Sequence, residues 1–113
     1  MHPAQSYRVN LGGEGETAGA LNQQGPWALQ PGWASSRTGQ TLEQLAVAGH
    51  EFLICDNLTI PLPDGCVDEV LTNSVPVDTT TWLGPGVQSS EIRRILRSGG
   101  VWIFNGHPHY TKP

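Results

Sequence analysis

Charge is scarce in this chain. It carries six basic and ten acidic residues among 113, a formal net charge of −4. A generic nucleic-acid binder shows a basic face, and that excess is missing here. Cysteine is nearly absent as well, with two residues, Cys55 and Cys66. Two thiols make no disulfide framework and no zinc spacing, so both are expected as reduced, small core residues. No apolar run reaches the length of a membrane span. The opening Met1-His2-Pro3-Ala4-Gln5-Ser6 lacks the basic and apolar pattern of a secretory signal. There is no G-x-S-x-G nucleophile elbow, no clustered metal ligands and no internal repeat. The expectation is one small globular domain working in the cytoplasm, without membrane or metal.

What the chain does have is short apolar runs that stop on polar residues. Phe52-Leu53-Ile54-Cys55 ends on Asp56, and Val70-Leu71-Thr72 ends on Asn73-Ser74. Such runs, bounded by Pro, Gly and Asp, predict buried strands. A first strand is predicted from Tyr7 to Leu11, where Tyr7, Val9 and Leu11 alternate with Arg8 and Asn10. It is broken by Gly12-Gly13-Glu14-Gly15, where absent Cβ atoms let backbone come close to a ligand. A second strand is expected over Ala18 to Asn22, a third over Glu51 to Cys55, a fourth over Asp68 to Thr72 and a fifth over Val101 to Asn105. Thr41-Leu42-Glu43-Gln44 has the capping-box spacing, and Gly49 is a natural helix stop. A second helix is expected to begin at a Ser89 or Ser90 cap and to end at Gly99-Gly100. Its Ile92, Ile95 and Leu96 should face inward, with Arg93, Arg94 and Arg97 in water. Trp27 and Trp33, in an irregular stretch, are expected to cover an open face of the sheet.

Three passages, in this order, resemble class I S-adenosylmethionine-dependent methyltransferases. They are Val9-Asn10-Leu11-Gly12-Gly13-Glu14-Gly15, the Leu62-Pro63-Asp64-Gly65-Cys66-Val67-Asp68-Glu69-Val70 passage after the acidic strand end at Asp56, and Glu91-Ile92-Arg93-Arg94-Ile95-Leu96-Arg97-Ser98-Gly99-Gly100-Val101. The resemblance implies a trimmed, Rossmann-like α/β sandwich over residues 7–106. It would have five mostly parallel strands in the order 3-2-1-4-5 and few helices. Residues 1–6 would be an extension and 107–113 a tail. The closing acid of the second strand is replaced by Gln24, whose amide can both donate and accept.

The resemblance also implies roles. S-adenosylmethionine would be the cofactor, and a methyl group would pass to an acceptor that the motifs do not name. Asn10 belongs to the glycine-loop motif, and Gly12, Gly13 and Glu14 would pass under the methionine part. Asn22 and Gln24 would face the ribose. Asp56 and Asn57 would hold the adenine edge, with Leu58 on its ring. Asn73 and Ser74 would sit near the sulfonium. His107, His109 and Tyr110 are the candidates for a general base.

Two other readings belong beside this one. The short form and Gly/Trp-rich loops resemble the effector tips of bacterial polymorphic toxins of the Rhs type, secreted effectors paired with an immunity protein. A non-catalytic remnant, stable as an oligomer, is the third. Relatives add two strands after the fifth. Without them Val101–Asn105 would be an apolar sheet edge, which proteins cover or pair. A homodimer or an immunity protein is therefore expected along it.

Overall fold

A computed structural model describes residues 8–11, 20–25, 29–35, 39–82 and 84–113. The elements are β1 (Arg8–Leu11), β2 (Leu21–Gln24), α1 (Leu42–Val47), β3 (Glu51–Ile54), β4 (Val67–Thr72), β5 (Thr80–Thr81), β6 (Gly84–Pro85), α2 (Ser89–Ile95), β7 (Leu96–Phe104) and β8 (His107–Thr111). Six strands form one sheet in the order β3-β2-β1-β4-β7-β8. Within this sheet the pairings from β3 across to β7 are parallel and β8 joins antiparallel, while β5 and β6 form a separate antiparallel pair. The first five positions reproduce the expected order, with β7 as the fifth strand. No helix among the described residues is long and apolar enough to cross a membrane.

Register explains which residues meet. Leu21, Val9, Val70, Trp102 and Tyr110 lie side by side across β2, β1, β4, β7 and β8. Neighbours in register share a face, so this row is one wall of the core. From α2, Ile92 and Ile95 close on it, together with Ile60 of the β3–β4 loop and Val87. Phe52, Asn22, Asn10, Leu71 and Ile103 form the next row, on the opposite face. Leu45 of α1 is buried outside the first cluster. The predicted capping box of α1 is present: Gln44 N donates to Thr41 Oγ1 at 3.2 Å, and Thr41 N to Gln44 Oε1 at 2.9 Å.

Three expectations need correction. First, α2 stops at Ile95 and the chain is already strand at Leu96. Gly99-Gly100 therefore lies inside β7, where the register against β4 jumps from Val67↔Leu96 to Glu69↔Val101. Gly99 takes a φ of 81°, and a Cβ on Gly100 would press on backbone 2.9 Å away, so the bulge needs both glycines. Secondly, neither serine caps α2. The N-cap is Gln88 and makes no side-chain cap, while Ser89 N and Oγ both donate to the Asp78 carboxylate.

Thirdly, residues 107–111 are a strand rather than a tail. Asn105 and Gly106 have φ of 48° and 84°, which turns β7 into β8 as a tight hairpin. Val101 pairs with Thr111 and Phe104 with His107, so the chain itself covers the Val101–Asn105 edge. That edge is no longer open for a homodimer or an immunity protein. Pro108 is accommodated because β8 is now the edge, where a missing backbone N–H costs no ladder bond.

Candidate functional site

The sheet order reverses direction between β1 and β4: β2 and β3 lie to one side, β7 and β8 to the other. In open parallel sheets the loops leaving the two strands at such a point diverge and open a crevice. Here that point lies at the ends of β1 and β4, and residues 12–19, which follow Leu11, fall outside the described residues. Gly12, Gly13 and Glu14, which would floor this crevice, fall outside the described residues, as does Trp27. The lip toward β3 is built from Gln24, Asp56, Asn57 and Leu58, and the other lip from Asn73, Ser74 and Asn105.

Asp56 follows the end of β3 and is exposed. Its Oδ1 accepts from Leu58 N at 2.9 Å and Thr59 N at 3.2 Å, which folds Asp56–Thr59 into a tight turn. The turn leaves Oδ2 directed to no group among the described residues. Asn57 Nδ2 donates to Pro85 O at 2.9 Å, tying this turn to the β5–β6 hairpin. Leu58 beside it is 53% exposed. The rest of the loop is clamped from α2. Arg94 Nη1 donates to Leu62 O and Nη2 to Ile60 O, each at 2.7 Å. Glu91 Oε1 accepts from Ile60 N at 2.8 Å. Arg94 is also paired with Glu91 and Asp64. These bonds, the one to Glu91 foremost, hold the guanidinium pKa above its ordinary value. Arg94 is thus turned into the loop rather than into water, while Arg93 and Arg97 stay exposed.

On the other lip, Ser74 takes a φ of 53°, and its N–H donates to Asn105 Oδ1 at 2.8 Å. Asn105 N donates to Thr72 O at 2.9 Å, so the turn after β7 and the end of β4 are laced together. Below them Trp102 Nε1 donates to Thr72 Oγ1 at 2.9 Å, in the buried interior. The three candidate bases separate. His107 is exposed and pairs with Phe104 at the carboxyl end of β7, next to this lip. His109 lies against aromatic rings, 4.6 Å from Trp102 and 5.5 Å from Phe104 between centroids. Tyr110 sits further from the lip, under Arg93, whose guanidinium carbon is 5.5 Å from the ring centre.

Two expected ligand residues point elsewhere. Asn10 and Asn22 are 3% and 1% exposed, and Asn10 Nδ2 donates to Asn22 Oδ1 at 3.0 Å. Asn22 Nδ2 donates in turn to Ala20 O and Glu51 O, at 3.1 and 3.2 Å. This is a buried amide network between strands, of the sort that fixes register. Gln24, half-buried, ends β2 at the carboxyl edge of the sheet. Gln23 was not anticipated: it is buried, and its Nε2 donates to Cys55 O at 2.6 Å, bracing the strand that delivers Asp56. No spacing rule would have singled it out. Cys55 and Cys66 are free thiols, and burial raises the pKa of both above the ordinary value, which makes them poor nucleophiles. Among the described residues no group of three or more His, Cys, Asp or Glu side chains is placed to hold a metal.

Compared with protein-family models, with curated proteins and with solved structures, the chain matches none.

Proposed function

We propose that this domain binds S-adenosylmethionine across the carboxyl ends of its parallel strands and presents it for methyl transfer. The observation that carries the reading is the reversal of strand order between β1 and β4, with the glycine-rich segment leaving one strand and Asn73-Ser74 leaving the other. The donor set on the rim suits the cofactor's chemistry. Asp56 Oδ2 is an acceptor for an exocyclic amino group, the Gln24 amide can exchange bonds with ribose hydroxyls, and Asn73 and Ser74 supply polar groups near a cationic centre. Asn10 and Asn22 are left out, because their amides are consumed inside the sheet.

When bound, the cofactor supplies an activated methyl group on a sulfonium. Methylation would leave the acceptor with one proton to give up. The chain's part is to orient and to exclude water, and positioning of this kind contributes a large share of such a barrier. His107, the candidate base nearest the lip, is the group to receive that proton. Direct titration of the purified chain with S-adenosylmethionine tests the reading. Replacing His107 by Gln would slow turnover and leave affinity alone.

A further inference from the structure

The two edges of the six-stranded sheet are built differently. β8 closes one of them and is guarded: Pro108 lacks an N–H, the register against β7 slips beside it, and four of its five residues are exposed. β3 forms the other edge, where Phe52, Leu53 and Ile54 are apolar and half-buried. No proline, lysine or bulge interrupts it.

The bonds to β2 show which side of β3 is already used. Cys55 N donates to Gln24 O at 3.0 Å, Asn22 Nδ2 to Glu51 O at 3.2 Å, and Gln23 Nε2 to Cys55 O at 2.6 Å. Glu51 and Cys55 therefore turn main-chain groups toward β2. Along an extended chain these groups change sides from one residue to the next. Leu53 thus also faces β2, while Phe52 and Ile54 turn their N–H and C=O groups outward. Among the described residues neither has a bonding partner on that side.

We propose that a second copy of this chain pairs on this edge, β3 against β3, antiparallel about a two-fold axis at Leu53. The edge is complementary to itself in that register. Phe52 of each copy meets Ile54 of the other, so all the outward groups of both residues are matched in two hydrogen-bonded pairs. An aromatic ring beside a β-branched side chain is a favourable cross-strand pair. Glu51 falls opposite Cys55, so the one charge of the strand meets no like charge. An axis at Phe52 would instead set Ile54 opposite His50, whose N–H is already given to Leu45 O at 3.1 Å. The two sheets then continue as one through the pair.

Sedimentation velocity of the whole chain across micromolar concentrations tests this, with circular dichroism confirming that each variant is folded. Ile54→Pro removes an outward N–H and no bond to β2. Phe52→Lys and Ile54→Glu put opposite charges at positions that meet across the axis. The parent chain is expected to show a monomer–dimer equilibrium, and Ile54→Pro to raise its dissociation constant at least about tenfold, for two lost bonds per dimer. Phe52→Lys and Ile54→Glu should each pair poorly alone and recover a mixed dimer when combined. In the parent chain, hydrogen exchange of the Phe52 and Ile54 amides should slow as concentration rises. A parent chain that stays monomeric overturns the proposal. So does a dimer in which those two amides exchange at the monomer's rate, because its interface then lies elsewhere.

Discussion

The side chain of Asn57 donates to the main-chain oxygen of Pro85 at 2.9 Å, across 28 positions of sequence. One bond thus joins the turn after β3 to the hairpin after β4. The resemblance expects Asn57 to hold an adenine edge beside Asp56, whereas its Nδ2 is bonded to Pro85 O. That its amide works on a distant carbonyl depends on how far the hairpin reaches, which local spacing does not encode.

Asp56 has two separable tasks, and two substitutions pull them apart. Oδ1 holds the turn at Leu58 and Thr59, while Oδ2 is the proposed acceptor for an amino group. Asp56→Asn keeps an oxygen for the turn and removes the charge. It is expected to weaken S-adenosylmethionine binding by about 1–3 kcal/mol, the range for a bond to a charged group. Asp56→Ala should lose at least as much affinity and also loosen the turn, visible as faster amide exchange at Leu58 and Thr59. Equal affinity in the parent and both variants would remove Asp56 from the site.

Arg94 is predicted to matter for stability more than any other surface-facing cation. Its guanidinium meets two carbonyls and two carboxylates, and with the Ile60 N bond to Glu91 Oε1 it ties the irregular stretch from Ile60 to Asp64 to α2. Arg94→Ala should destabilise the fold by about 2–4 kcal/mol, because buried carbonyls and Glu91 lose their partner together. Arg94→Lys should recover little of it, since an ammonium cannot reproduce the planar fork. Urea denaturation measures both. A loss below about 0.5 kcal/mol for the alanine variant would mean that the loop holds itself.

Acid should weaken the fold through two carboxylates. Hydrogen bonds from Ser89 hold the Asp78 pKa below its ordinary 3.8, and Arg94 holds that of Glu91 below 4.5. A folded-state pKa lower than the unfolded one means the unfolded chain takes up protons first. The stabilisation is therefore complete above the ordinary values and is lost as pH falls past them, through the lower folded values. Denaturation midpoints between pH 6 and pH 3 should fall steeply for the parent chain. They should fall less steeply for Asp78→Asn and Glu91→Gln, and an unchanged slope would contradict the assignment.

Much of the fold could be read from local pattern. Apolar runs closed by polar residues mark the strands, while their order was an expectation of the methyltransferase resemblance and is not written in local pattern. The Thr41–Gln44 box was legible because capping is decided within one turn of helix. The exit of α2 was not, because Gly99-Gly100 reads equally as a helix stop or as a bulge, and only pairing with Val67 and Glu69 selects the bulge. The last strand was missed although Asn105-Gly106 is a strong hairpin signal, because Pro108 discounts a strand unless it lies at an edge. Asp56, Asn73 and Ser74 lie just past the carboxyl ends of β3 and β4. Asn10 and Asn22 lie inside the sheet, where a polar residue can pair across the ladder as readily as it can face a ligand.

Calorimetric titration of the purified chain with S-adenosylmethionine, S-adenosylhomocysteine and NAD tests the central claim most directly. The account predicts saturable one-to-one binding of the first two and none of NAD, which carries an adenosine but no sulfonium or thioether arm. Heat from NAD alone, or from none of the three, would contradict a methyl-transfer site at the carboxyl edge of this sheet.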